Sequence, residues 1–208
     1  MKFTLAVTFL AAAAQAADQV EVLLCVEAYC PGCQQFTMED LAPTYMLDGM
    51  SDIMNLTFVP FGNAHITDET ARTMTCQHGE DECSGNSYEQ CAIDVYPDPK
   101  DYLPFITCFD EKSGQGALDD MMEGCATTAS LDWSKIKSCH DDADHAWSLQ
   151  VAAAAATPED HTYVPWVVIN GKQYDLEVET DFLGYVCNEY QGDKPAACTQ
   201  KSVKCMKD

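Results

Sequence analysis

Cys30-Pro31-Gly32-Cys33 sets two thiols two residues apart. A pair so spaced can close a small ring. Ring closure is the resolving half of thiol–disulfide exchange, in which one thiolate attacks a disulfide and a second thiol releases the mixed disulfide. Three chemistries fit the pair: redox exchange, half of a zinc site that needs a second ligand pair, or a plain structural cystine. For exchange, Cys30 is expected to attack and Cys33 to resolve. This requires a helix to start at the motif, because its unpaired N–H groups and positive end stabilise the first thiolate. No Lys or Arg occurs in the twenty residues after the motif, so the helix start itself would have to lower the Cys30 pKa. Glu27, three residues before Cys30, is a candidate relay for the Cys33 proton, with a surface carboxylate as the plainer alternative.

The elements that must position these thiols are legible around them. Val20 to Val26 is apolar and β-branched and reads as a buried strand. Gln34 to Met46 reads as a helix, with Phe36, Leu41, Tyr45 and Met46 facing the core and a kink at Pro43. Asn55 to Phe61 reads as a second strand, parallel to the first because a helix connects them. Residues 65 to about 158 are polar and cysteine-rich, with no strand expected; Ala117 to Ala126, Asp132 to Cys139 and Asp141 to Ala156 read as helices. Trp166 to Ile169, the turn Asn170-Gly171, and Lys172 to Leu176 read as a hairpin, and Glu179 to Tyr190 as a closing helix. Without the middle segment, about 100 residues remain in the order βαβ-ββα, a thioredoxin-like α/β fold carrying a helical, cysteine-rich insertion. In that fold a cis-proline faces the two cysteines. Pro165 stands at the required place before its strand, with Val164 offering backbone groups to an extended substrate.

Met1-Lys2, the apolar run to Ala14 and the Ala14-Gln15-Ala16 site describe a secretory signal peptide over residues 1–17. Twelve cysteines fit an oxidising compartment, and Asn55-Leu56-Thr57 is a glycosylation sequon usable there. Residues 18–191 form the expected domain, with the insertion at about 65–158. Residues 192–208, which hold Cys198, Cys205 and four lysines, form a basic tail that is a candidate trimmed segment. A net charge of −23 excludes general nucleic-acid binding and disfavours anionic membranes. The same charge is compatible with an acidic organelle and equally with a secreted protein. No membrane span is expected beyond the leader.

Cys76-Gln77-His78-Gly79, Glu82-Cys83, Asn86 and Cys91 form the pattern C-Q-H-G-x2-E-C-x2-N-x4-C. This resembles the signature of the gamma-interferon-inducible lysosomal thiol reductase family, and every fixed position is matched. The order of features also matches: leader, C-x-x-C, signature, proline before a strand. The resemblance implies a thioredoxin-like fold, Cys30 and Cys33 as the active pair, and reduction of protein disulfides in endosomes or lysosomes. Implied partners are disulfide-containing proteins and a small-thiol or protein reductant. No cofactor or metal is expected. Cys76, Cys83 and Cys91 are read as structural cystines rather than metal ligands, and His78 as structural. Cys25 is read as a buried free thiol, and an unpaired cysteine would allow a disulfide-linked dimer. The redox direction stays open, so a secretory-pathway oxidase or isomerase is the alternative within the chemistry, and a secreted interaction protein the alternative outside it.

Overall fold

The computed structural model describes residues 17–199. All but the last residue of the expected leader (1–17), and Cys205 with its neighbouring lysines in the tail, lie outside them.

β1 (Val20–Val26) is the hub of the sheet: one face is buried throughout, and the other from Leu23 to Cys25 is covered in part, with Glu21 exposed. β2 (Met54–Pro60) pairs with it in parallel, and β5 (Trp166–Ile169) pairs antiparallel on the other side. β6 (Lys172–Gln173) returns beside β5, giving the order β2-β1-β5-β6. Asn170 and Gly171 both adopt positive φ in the turn between β5 and β6, as the Asn-Gly pair requires. The returning strand is shorter than its sequence reading.

The helix after β1 starts earlier than expected and is not uniform. α1 spans Pro31–Phe36, a π-turn follows over Thr37–Leu41, and α2 covers Ala42–Tyr45. The physical reason is Pro43. It has no N–H to donate and its ring would crowd the preceding turn, so one wider turn absorbs the misfit. The Ala42 N–H accordingly reaches back five residues to the Thr37 carbonyl. α3 (Met50–Ile53) leads into β2.

Residues 65–158 do contain strand, contrary to the sequence reading: β3 (His65–Asp68) and β4 (Thr73–Thr75) form a small antiparallel ladder. Five helices follow: α4 (Glu80–Val95), α5 (Pro99–Lys112), α6 (Leu118–Thr128), α7 (Trp133–Asp141) and α8 (Ala143–Ala156). α4 and α5 have no counterpart in the sequence reading. α9 (Phe182–Glu189) packs Phe182 edge-on against Phe36 of α1. The main core joins Leu24, Phe36, Leu41, Phe105 and Val167 across sheet and helices.

Among the described residues four disulfides tie this together: Cys76–Cys83, Cys91–Cys139, Cys108–Cys125 and Cys187–Cys198. The second joins α4 to α7 across 48 residues, which on loop-closure entropy stabilises the fold by about 4 kcal/mol. The last fastens the start of the tail to α9. Among the described residues the free cysteines are Cys25, Cys30 and Cys33, all buried. Cys25 is enclosed in β1, and burial pushes its thiol up to about 11.

Candidate active site

β1 ends at Val26, and the chain turns sharply so that the Cys30 N–H donates to the Glu27 carbonyl. Cys30 is thereby the N-cap of α1, with Pro31 at the first helical position, where a missing N–H is harmless. Its sulfur accepts a hydrogen bond from the Cys33 N–H at 3.3 Å. Cys30 is 8 % exposed and Cys33 1 %, so a substrate sulfur can reach only the first.

The electrostatics separate the two thiols further. The Cys33 thiol donating to it, then the Cys33 and Gly32 amides, pull the Cys30 pKa from 9.0 down to about 6 against the opposing effect of burial; His78 adds a smaller push. Burial, and then the bond to Cys30, push the Cys33 thiol far above the ordinary range. A nucleophile that ionises near neutrality beside a partner that keeps its proton is the arrangement exchange requires.

The peptide bond Val164–Pro165 is cis. A Cβ on Gly32 would stand 3.5 Å from Pro165 Cδ, so the proline faces the motif. The Cys30 thiol donates to the Val164 carbonyl at 3.8 Å.

Signature residues converge on the same turn. Asn86 of α4 is fully buried and its Oδ1 accepts from the Ala28 N–H at 2.9 Å, fixing the approach to Cys30. α4 comes so close that a Cβ on Gly85 would lie 2.9 Å from Ala28 Cβ. Replacing Asn86 by Ala leaves the Ala28 amide buried without an acceptor, so urea denaturation should show a loss of about 1–3 kcal/mol; an unchanged midpoint would show the contact to be dispensable.

His78, read from sequence as structural, lies at the site itself. Its Nδ1 is 2.5 Å from Glu82 Oε2 and 3.6 Å from Glu27 Oε2. Glu27 is buried, not a surface carboxylate, and Asn63 N–H donates to its Oε1 at 2.7 Å. Gly62, at φ +56°, permits this, since a Cβ there would stand 2.6 Å from Glu27 Cγ. Burial first, then the Glu82 charge, push the Glu27 carboxyl up to about 7. Below that pH Glu27 holds a proton, so a relay of the Cys33 proton through it runs towards neutral pH and fades in acid. Burial disfavours a charged His78, but the Glu82 and Glu27 carboxylates outweigh it and hold its pKa above the ordinary histidine value.

Glu89 of α4 and Asp110 of α5 were not foreseen. Both are buried, and burial pushes both carboxyls well above the usual range, with Cys30 adding to the effect on Asp110. Acidic residues in a helix carry no sequence mark of burial.

The cysteines of the signature are committed to disulfides, which removes them as metal ligands and leaves the C-x-x-C pair without a second cysteine pair for zinc. Two other groups reach ligand spacing among the described residues: Glu27, His78 and Glu82, and Asp94, Cys139 and His145. The second loses its sulfur to the Cys91–Cys139 bond.

A family model described as "Gamma interferon inducible lysosomal thiol reductase (GILT)" matches residues 21–129. The curated gamma-interferon-inducible lysosomal thiol reductase of Carassius auratus is 36% identical over 192 residues, covering 88% of this chain and 74% of that protein. The chain belongs to the GILT family. Another GILT relative, the gamma-interferon-responsive lysosomal thiol protein of Arabidopsis thaliana, is 35% identical over 191 residues, covering 88% of this chain and 77% of that one. As a GILT protein it is a thiol–disulfide oxidoreductase. Among solved structures, reduced DsbA from Mycobacterium tuberculosis superposes with a TM-score of 0.60 at 17% identity, over 93% of this chain and 95% of that one. BdbD from Bacillus subtilis gives 0.55 at 17% identity, over 80% and 81%. These likenesses show the thioredoxin-like fold on which the GILT motifs sit.

Proposed function

We propose that the protein reduces disulfides of other proteins in an acidic endosomal or lysosomal compartment. Cys30 attacks as the thiolate: a Cys30–sulfur bond forms, the substrate disulfide breaks, and the departing sulfur takes a proton. Cys33 then loses its proton and attacks Cys30 Sγ. The Cys30–Cys33 bond forms and the second substrate thiol leaves, so the substrate gains two electrons and the dithiol loses them. A small-thiol or protein reductant restores the pair. Val164 offers its backbone to the substrate strand beside Pro165.

The observation that carries the reading is the asymmetry of the two thiols, one reachable and acidified, the other buried and protonated. The test is insulin reduction by the purified protein at pH about 5 and about 7 with a Cys30→Ser control. Turnover retained at the lower pH and absent in the variant is expected. Turnover only near neutrality would favour the secretory-pathway oxidase or isomerase, and none at either pH an interaction protein.

The remaining readings are proposals of the same kind. Asn55 is exposed, with its Nδ2 donating to Glu21, and is the proposed glycosylation site. Cys205 is the candidate for a disulfide-linked dimer, because Cys25 is enclosed. Trimming of the tail would have to act beyond the Cys187–Cys198 bond or leave the fragment attached through it.

A further inference from the structure

The disulfide Cys76–Cys83 closes a short loop, and that loop carries His78 and Glu82 back over Glu27. The side chains of both glutamates have no exposure, whereas that of His78 is 37 % exposed. Each carboxylate is pinned at one oxygen by a backbone amide. Asn63 N–H donates to Glu27 Oε1 at 2.7 Å, and His78 N–H to Glu82 Oε1 at 2.9 Å. The other oxygen of each faces His78 Nδ1, and the three atoms lie within 4.8 Å of one another. Glu27 Oε2 is buried and accepts no hydrogen bond. Among the described residues His78 is the one cationic group paired with either carboxylate.

We propose that Glu27, His78 and Glu82 form a binding site for one divalent transition-metal ion, with zinc the best match. One imidazole nitrogen and two carboxylate oxygens are a zinc donor set that leaves a fourth position open. The two backbone amides supply the outer hydrogen bonds that orient ligating carboxylates. Donors on zinc at about 2.1 Å stand about 3.4 Å apart in tetrahedral geometry. The 3.6 Å between His78 Nδ1 and Glu27 Oε2 already meets that spacing. The 2.5 Å contact between His78 and Glu82 is a hydrogen bond; zinc would displace its proton, and the part-exposed imidazole would retreat by about an ångström. Two buried carboxylates then face a doubly charged cation, which cancels charge that this dry pocket otherwise holds with one imidazole. The ligands are distinct from the two thiols but border them, and the proposal does not depend on the direction of the redox reaction.

Two free thiols would offer zinc competing sulfur ligands, so the test uses the full chain with Cys30→Ser and Cys33→Ser. Calorimetric titration with zinc chloride at pH about 7.5 should show one site per chain. His78→Gln, and separately Glu82→Gln, should weaken it at least about tenfold. X-ray absorption should show nitrogen and oxygen neighbours without sulfur. His78 is part-exposed, so its variant should keep the fold, checked by circular dichroism and by the intact mass of the Cys76–Cys83 bond. The proposal is overturned by no saturable binding up to about 0.1 mM zinc, by binding that a folded His78→Gln protein retains in full, or by sulfur coordination.

Discussion

Cys33→Ser protein is expected to stall as a covalent adduct with its substrate. Cys30 keeps its place at the N-cap, and the amides of Gly32 and residue 33 still point at its sulfur. A serine hydroxyl also replaces the donating thiol. Attack on a substrate disulfide therefore proceeds. Release does not, because the second sulfur held in place for ring closure is gone and an external thiol must substitute at its bulk concentration. The intramolecular advantage of a positioned group makes the expected fall in turnover at least about a hundredfold. Non-reducing electrophoresis and peptide mass analysis should place the substrate on Cys30. If turnover persists without an adduct, another group resolves the intermediate and the assignment of Cys33 is wrong.

The second expectation is that Cys30 remains reactive in acid. With its pKa at about 6, roughly a tenth of Cys30 is ionised at pH 5, against about one part in ten thousand for a thiol at 9.0. A more acidic thiolate is also a weaker nucleophile, and over three units that loss is about twentyfold. The gain in thiolate of about a thousandfold wins, leaving a net advantage of about fiftyfold at pH 5. The sign follows from the direction of the shift: reactivity rises with pH through a midpoint at about 6 and levels off about one unit higher, instead of having its midpoint at 9. Single-site alkylation of the reduced protein with iodoacetamide, followed by mass from pH about 4 to about 9, should show that plateau. Cys25 and Cys33 are buried and serve as internal controls. A midpoint near 9 would show that the helix start does not acidify Cys30. It would also remove the physical basis for catalysis in an acidic compartment.

What the chain by itself determined is the part written in local pattern. Val20 to Val26 is apolar and β-branched apart from Glu21, so it reads as a buried strand. The C-x-x-C pair needs a helix start to acidify Cys30, although the pattern marked the helix only from Gln34 onward. Asn170-Gly171 had to turn. Pro165 before Trp166–Ile169, with the matched signature, located the face opposite the thiols. α4 escaped the same reasoning because it buries Glu82, Asn86, Glu89 and Gln90 alongside Tyr88, Cys91 and Ala92, so no clean apolar stripe marks it. α5 escaped because it runs through Pro104, which local rules treat as a break. β3 and β4 are four and three residues long and turn only Ile66 and Met74 toward the core, too short a pattern to mark a strand. Only tertiary structure could bring His78 and Glu82 onto Glu27, some fifty residues away in the chain. The cause is the packing of α4 on the turn before Cys30, with Asn86 bonded to Ala28 and the Cys76–Cys83 bond folding the preceding loop back. A charged residue in sequence looks the same whether water or another carboxylate surrounds it, and burial is what changes its chemistry.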